Sequence, residues 1–143
     1  MKYFGYHSIS MVYLWNQRQH SNQINGVDMV NHLYHYSAHV VSVYDGDTIR
    51  VDIDLGLRTW IHEEKIRLAR INAPELRGAE KAKGIESRDF LRNLILDKDI
   101  VLQTQKDRQG KYGRYLGEIW LEMNGDWVNI NDLMLKNDMA ILY

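Results

Sequence analysis

The segment DGDTIRVDIDLG, residues 45–56, joins a turn signal to the clearest strand pattern in the chain. Its Asp-Gly pair follows an apolar run and precedes an apolar–polar alternation with a period of two, which predicts a half-buried β-hairpin. The same segment gathers four aspartates, although carboxylates so close together repel one another. We expect one of them, Asp47, to carry chemistry. We expect the others to be structural, with Asp45 closing the turn and Asp52 and Asp54 facing water.

The remaining pattern predicts an antiparallel barrel with a helix inserted after its third strand. The third strand ends near Ile71, the loop NAPELRG (72–78) follows, and residues 79–96 have helical spacing with Gly84 as a weak point. Alternation returns at 100–104, and NGD (124–126) is a second hairpin turn before a short final helix. The predicted fold is therefore mostly β with helices (α+β): a five-stranded OB-fold-like barrel with two or three helices, plus an N-terminal arm.

Composition places the protein among ordinary globular domains. The chain has 143 residues, of which 45% are hydrophobic and 26% charged, and it has no cysteine, which excludes disulfides and thiolate sites. No apolar run is long enough for a membrane span, and the start is a poor secretory signal, so we slightly prefer a cytoplasmic to a secreted location. A net charge of -1 argues weakly against a general nucleic-acid coat.

A change in composition near residue 37 divides the chain into an extension of unknown role, 1–36, and a folded unit, 37–143. His32, His35 and His39 would share one face of a helix and could hold a transition metal, which suggests a metal-binding adaptor as one weak alternative. His39 abuts the first strand, however, so we favour an arm that is exposed or packs on a partner. We hypothesise that this arm, or a second copy in a homodimer, covers the surface left at the end of the chain.

Charge concentrates in three segments that the pattern places in loops or at strand ends: DGDT (45–48), IRLARINAPE (66–75) and KYGR (111–114). Together they offer oxygen ligands at Asp47, Asn72 and Glu75. Oxygen-only ligation favours Ca²⁺ or Mg²⁺ over zinc. A divalent ion with two guanidinium groups suits a phosphodiester whose phosphorus becomes five-coordinate and gains negative charge.

Three motifs in this order, VYDGDTIRV (43–51), IRLARINAPE (66–75) and DRQGKYGRYLGEIW (107–120), resemble those of the staphylococcal-type (thermonuclease) nucleases. The resemblance covers residues 38–143. It implies a five-stranded barrel and a Ca²⁺-dependent enzyme that hydrolyses DNA and RNA at the P–O5′ bond and leaves 3′-phosphates. We expect single strands or unwound ends to be the preferred substrate and no membrane partner.

The resemblance also implies roles for individual residues. The implied metal ligands are Asp47, position 72 and the backbone carbonyl of Ala73, where the family usually has Thr. Two arginines, Arg67 and Arg114, would clamp the scissile phosphate, and Glu75 would orient or deprotonate the attacking water. The implied substrate contacts are Lys111 and Tyr112 on the neighbouring phosphate and Tyr143 on the base.

Asn72 departs from the family pattern, because an aspartate belongs at this position. An amide oxygen can still bind Ca²⁺, but the site loses one negative charge. We expect weaker Ca²⁺ binding, with Mg²⁺ or Mn²⁺ as alternative ions and with hydrolysis retained. The alternative is a catalytically weak or inactive OB-type module that binds nucleic acid.

Overall fold

A five-stranded barrel and two helices make up most of the part of the chain that the structure describes. The computed structural model describes residues 33–109 and 113–143. Its strands are β1 His35–Val43, β2 Thr48–Asp54, β3 Trp60–Leu68, β4 Ile71–Asn72, β5 Asp99–Gln109, β6 Tyr115–Met123, β7 Asp126–Asn129 and β8 Ile141–Leu142. Its helices are α1 Lys81–Ile95 and α2 Ile130–Lys136, and a 3₁₀ turn, Gly78–Glu80, precedes α1. Among these described residues, no helix is long and apolar enough to cross a membrane.

Five strands close into a barrel. The order β3-β2-β1-β5-β6 is antiparallel throughout, and β3 then pairs with β6 in parallel, so that Ile66 lies opposite Tyr115 and Leu68 opposite Gly117. The hairpin strand β7 extends the sheet beyond β6. The predicted α+β fold with an OB-like barrel is therefore confirmed.

The period of two in β2 places its odd-numbered apolar residues, Ile49, Val51 and Ile53, inside the barrel. Leu91 and Ile95 of α1 are fully buried against this core. Helix α2 begins where the Asn129 side chain accepts the Asp132 backbone N–H at 3.0 Å, a regular N-cap. The core is thus continuous from the barrel interior to both helices.

The third strand ends earlier than the alternation predicted. Arg70 adopts a left-handed backbone conformation with φ 66°, which interrupts the strand after Leu68. Ile71 and Asn72 then form β4, which pairs with β8 in a separate two-stranded sheet. The extension 1–36 falls mostly outside the described residues, and β1 already begins at His35.

The parallel junction between β3 and β6 is held by a fully buried amide, that of Asn131 in α2. Its Nδ2 donates to the carbonyls of Ala69 (3.0 Å) and Gly117 (3.1 Å), and its Oδ1 accepts the Ile119 N–H at 3.1 Å. One side chain therefore satisfies three backbone groups that water does not reach. This junction matters for function because it fixes β3 beside the start of β6.

Replacing Asn131 with Ala should destabilise the protein by about 3 kcal/mol, because the buried Ala69 carbonyl and Ile119 N–H lose their partner and the Gly117 carbonyl keeps only the Ala69 N–H. Urea denaturation measures the change. The matched control is Asn137→Ala at the exposed end of α2, where the loss should stay below about 1 kcal/mol. Equal losses for the two variants would contradict the role given to Asn131.

The two described histidines of the proposed metal cluster lie in a strand. His35 and His39 both belong to β1, where four residues span about 13 Å, too far for one ion. The helical arrangement is therefore wrong for this pair, and His32 lies outside the described residues. His39 instead contacts Asp99 Oδ1 through Nδ1 (2.7 Å) and Asp97 Oδ1 through Nε2 (3.1 Å). The Asp99 hydrogen bond is the main reason that the pKa of His39 is raised above its ordinary value.

A raised histidine pKa stabilises the folded state when the ring is protonated. The contribution of His39 should be complete below its unfolded-state pKa and should disappear as the pH rises through its higher folded-state pKa. His39→Gln should therefore lower the free energy of unfolding more at about pH 5.5 than at about pH 9. Chemical denaturation at both pH values tests this, and a difference that grows with pH would contradict it.

Candidate active site

Asp47 lies in the turn between β1 and β2, and its position is set by that turn. The Asp45 side chain accepts the Asp47 backbone N–H at 3.0 Å, and Thr48 accepts the Tyr44 N–H at 2.9 Å through its carbonyl. Gly46 comes so close to α1 that an added Cβ would lie 1.9 Å from Ser87 Oγ. The tight approach of this turn to α1 carries the Asp47 side chain into a buried place, with 6% of the residue exposed.

The Asp47 carboxylate binds three other segments of the site. Its Oδ2 accepts the Ala73 backbone N–H at 2.7 Å and lies 3.1 Å from Arg67 Nη1, while its Oδ1 accepts the Thr48 hydroxyl at 3.1 Å. Burial raises the pKa of Asp47 to about 6, and the Ala73 N–H opposes this rise. The carboxylate is therefore mostly ionised at neutral pH.

Arg67 projects from β3 into the same place. Its Nη1 also donates to the Leu68 carbonyl at 3.1 Å, and its Nη2 donates to Asn72 Oδ1 at 3.0 Å. Asp47 and Asn72, which are 25 positions apart in the chain, thus converge on the two ends of one guanidinium group. The structure brings together these three residues as the sequence predicted.

Arg114 joins the group through Thr48, which is 3% exposed. Arg114 Nη1 donates to Thr48 Oγ1 at 3.1 Å, and the Thr48 hydroxyl in turn donates its one hydrogen bond to Asp47 Oδ1. Sequence reasoning assigned no role to Thr48, although it is the last residue of DGDT. The signal that could have identified Thr48 is its position directly after Asp47, where its hydroxyl can donate to the neighbouring carboxylate.

Of the other predicted site residues, the structure describes Ala73, Glu75 and Tyr143. Ala73 is buried and follows β4, whereas Glu75 is exposed in the next loop, with its backbone N–H donating to Glu80 Oε2 at 3.3 Å. Tyr143 is 92% exposed and its backbone N–H donates to the Arg70 carbonyl at 2.8 Å. The roles predicted for Lys111 and Tyr112 fall on positions outside the described residues.

Three charged candidates have structural partners. Asp52 accepts the Glu63 backbone N–H at 2.8 Å, and Asp54 accepts the Gly56 N–H at 2.7 Å, so these two aspartates hold the β2–β3 hairpin. Arg70 binds Glu118 through two nitrogens, at 2.5 and 2.8 Å, and Asp132 at 2.8 Å. The prediction that three of the four aspartates are structural agrees with these contacts.

The donor atoms of the cluster are oxygens, the atom type that hard cations prefer. Asp47 and Asn72 present oxygen atoms that already converge on one positive group, and oxygen is the ligand that Ca²⁺ and Mg²⁺ prefer. Only one of the two carries a charge. Within residues 33–109 and 113–143, no group of three carboxylate or histidine side chains could hold a metal ion. An ion at Asp47 would depend on neutral oxygens and water for its remaining ligands.

Gly84 of α1 sets the position of Glu75. A Cβ at residue 84 would lie 2.3 Å from the Glu75 carbonyl oxygen and 2.9 Å from that of Pro74. Glycine weakens a helix, as the sequence indicated, but here it lets the helix pack directly on the loop backbone.

Gly84→Ala should destabilise the protein, although the same change in an open helix position stabilises by about 1 kcal/mol. The reason is that backbone atoms cannot move aside. Thermal melting should show a lower Tm for Gly84→Ala and an equal or higher Tm for the control Asn93→Ala, which lies on the exposed face of α1. A higher Tm for Gly84→Ala would show that the loop is free to move.

Comparison with known proteins places this cluster in context. A family model described as staphylococcal nuclease homologue matches residues 65–143, more than half of the chain. The match includes Arg67, Glu75 and Arg114 and begins after Asp47. An uncharacterized protein of Methanocaldococcus jannaschii is 27% identical in an alignment 130 residues long, and the match covers 76% of this chain and 60% of the relative. The chain thus spans less than two thirds of that relative's length. It belongs to the family of staphylococcal nuclease homologues.

Proposed function

We propose that the protein is a metal-dependent phosphodiesterase that hydrolyses DNA and RNA at the P–O5′ bond and leaves 3′-phosphates. Single strands are the proposed preferred substrate. Family membership supports a nuclease-like hydrolase in general. The metal, the bond that is cut and the substrate preference are our proposals.

The observation that carries this proposal is the network from Arg67 through Asp47 and Thr48 to Arg114. These residues come from β3, from the β1–β2 turn and from the residue before β6, and hydrogen bonds of 3.1 Å connect them. Arg67 lies on the Asp47 carboxylate and Arg114 on the neighbouring Thr48 hydroxyl, so folding gathers two guanidinium groups into one anion site. A phosphodiester is the nucleic-acid group that such a site recognises.

In the proposed mechanism, Arg67 and Arg114 donate hydrogen bonds to the non-bridging oxygens of the scissile phosphate. These bonds strengthen as phosphorus becomes five-coordinate and the oxygens gain charge, which lowers the barrier. Glu75 accepts one proton from the attacking water, whose oxygen forms the new bond to phosphorus. The P–O5′ bond breaks, and the departing 5′-oxygen takes a proton from solvent.

A divalent ion would be held by Asp47, by the Asn72 amide oxygen and by the Ala73 carbonyl. When bound, it would supply Lewis-acid stabilisation of charge on the phosphate. Ca²⁺ is the proposed ion, with Mg²⁺ or Mn²⁺ as alternatives, because the donors are all oxygen. Lys111, Tyr112 and Tyr143 are proposed to hold the neighbouring phosphate and base.

Asn72 favours a second candidate function, a module that binds single-stranded nucleic acid with little or no hydrolysis. Its amide oxygen accepts a hydrogen bond from Arg67. Because the amide is neutral, the cluster has less negative charge than two carboxylates would give. The two functions share the anion site and differ in whether a metal ion is retained.

A digestion assay separates the two. The full chain is incubated with end-labelled single-stranded DNA or RNA and with Ca²⁺, Mg²⁺, Mn²⁺ or chelator. We expect cleavage with at least one ion, none with chelator, and products that end in a 3′-phosphate. Arg114→Ala and Glu75→Gln should each lower kcat by about a hundredfold or more, because each removes a group that acts in the transition state.

Lys136→Ala is the control, because it removes an exposed positive charge from the last turn of α2. It should cleave at the wild-type rate. Binding of the oligonucleotide without cleavage under all four conditions would establish the binding module instead. Cleavage that survives both Arg114→Ala and Glu75→Gln would point to a contaminating nuclease or to another site.

A further inference from the structure

Arg67 lies among oxygen atoms of the kinds that bind hard cations. Its guanidinium contacts three oxygens: the Asp47 carboxylate at 3.1 Å, the Leu68 carbonyl at 3.1 Å and the Asn72 amide oxygen at 3.0 Å. Carboxylate, carbonyl and amide oxygens are the ligands that calcium sites use. The arginine thus occupies a cation position built from protein oxygens.

The contact between Arg67 and Asp47 is shielded from water, whereas Asn72 is exposed. Only 14% of the Arg67 side chain and 8% of the Asp47 side chain are exposed, so solvent and salt screen this ion pair little. Neither partner can leave without exposing the other as an unpaired buried charge. The pair is therefore a stable resting arrangement of the site.

Asn72 makes the charges of this arrangement cancel. Asp47 contributes -1, Arg67 contributes +1 and the Asn72 amide contributes none, so the three groups sum to zero. An aspartate at position 72 would leave a surplus of one negative charge to attract a second cation. With asparagine, a divalent ion meets three groups whose charges cancel, and the two flanking groups, Asp45 and Arg114, carry opposite charges.

We propose that Arg67 is a resident cation that competes with the divalent ion for Asp47 and Asn72, and that metal binding releases its guanidinium toward the phosphate. A Ca²⁺ ion needs the same oxygens at about 2.3–2.6 Å, where it would lie against the arginine hydrogens. The two positive groups repel each other at this distance, so the bond from Arg67 to Asn72 must break first. The inference rests on the proposed metal-dependent function and names the order of events at that site.

The consequence is a coupling between the two tasks of the site. While Arg67 holds Asp47 and Asn72, both of its terminal nitrogens are engaged with protein oxygens. Once an ion takes those oxygens, the guanidinium is free to bind a phosphate oxygen. Metal and phosphate should therefore bind with positive cooperativity, each favouring the state in which Arg67 has moved.

The test is metal affinity, measured on the full chain by calorimetry with Ca²⁺ and by electron paramagnetic resonance with Mn²⁺, without substrate. Arg67→Met removes the competing charge but keeps an unbranched side chain, and it should tighten metal binding by at least about tenfold. Arg50→Met is the matched control, since it removes the same charge from an exposed side chain of β2 that donates to the Glu63 carbonyl. It should change the affinity by less than about threefold.

If Arg67→Met binds the ions no more tightly than the wild type, or if neither protein binds them, the inference is overturned. Should the variant fail to fold, the wild-type protein labelled with ¹⁵N-arginine gives the answer. Saturating Ca²⁺ should shift the Arg67 guanidinium resonances, and resonances that stay unchanged would overturn the inference. The two proposals can fail separately. If Arg67→Met binds metal more tightly but the wild-type protein does not cleave oligonucleotides, this inference holds and the proposed function is contradicted.

Discussion

The carboxylate of Asp47 lies at the end of the barrel where water scarcely reaches it, and three segments supply the groups that it needs. Thr48 gives a hydroxyl from the start of β2, Arg67 a guanidinium from β3, and Ala73 a backbone N–H from the residue after β4. An ionised carboxylate without these partners would be strongly disfavoured at this burial. The same contacts that stabilise the charge therefore assemble the candidate active site, and folding and function depend on one group.

The barrel explains why segments so distant in sequence meet. Thr48 pairs with Arg67 in the register of β2 and β3, and the parallel pairing of β3 with β6 brings the residue before β6, Arg114, beside them. The Asn131 side chain stabilises that parallel junction through hydrogen bonds to the Ala69 and Gly117 carbonyls. A change far from Arg67 and Arg114 can thus move these side chains, since the junction sets their separation.

Much of this arrangement was predictable because its signals are local. The period of two from Ile49 to Leu55 predicted the hairpin, and the helical spacing of residues 79–96 predicted α1 within two residues at each end. The convergence of Asp47, Arg67 and Asn72 was implied by the resemblance of the three motifs to those of the staphylococcal-type nucleases. What could not be predicted depends on tertiary contacts: the left-handed Arg70 that ends β3, the pairing of β4 with β8, and the hydroxyl of Thr48 between two charged groups. The bond from Arg67 to Asn72 belongs to this second class, because no spacing shows which oxygen a flexible side chain will choose.

The most direct test of this account is a crystal structure of the full chain with Mn²⁺ and a single-stranded oligonucleotide whose phosphates are phosphorothioates, which resist hydrolysis. The anomalous signal of manganese locates the ion without ambiguity. The account predicts the ion on Asp47 and Asn72, with the guanidinium groups of Arg67 and Arg114 on the oxygens of one adjacent phosphate. A phosphate bound on another face of the barrel, or two arginines on separate phosphates, would contradict it.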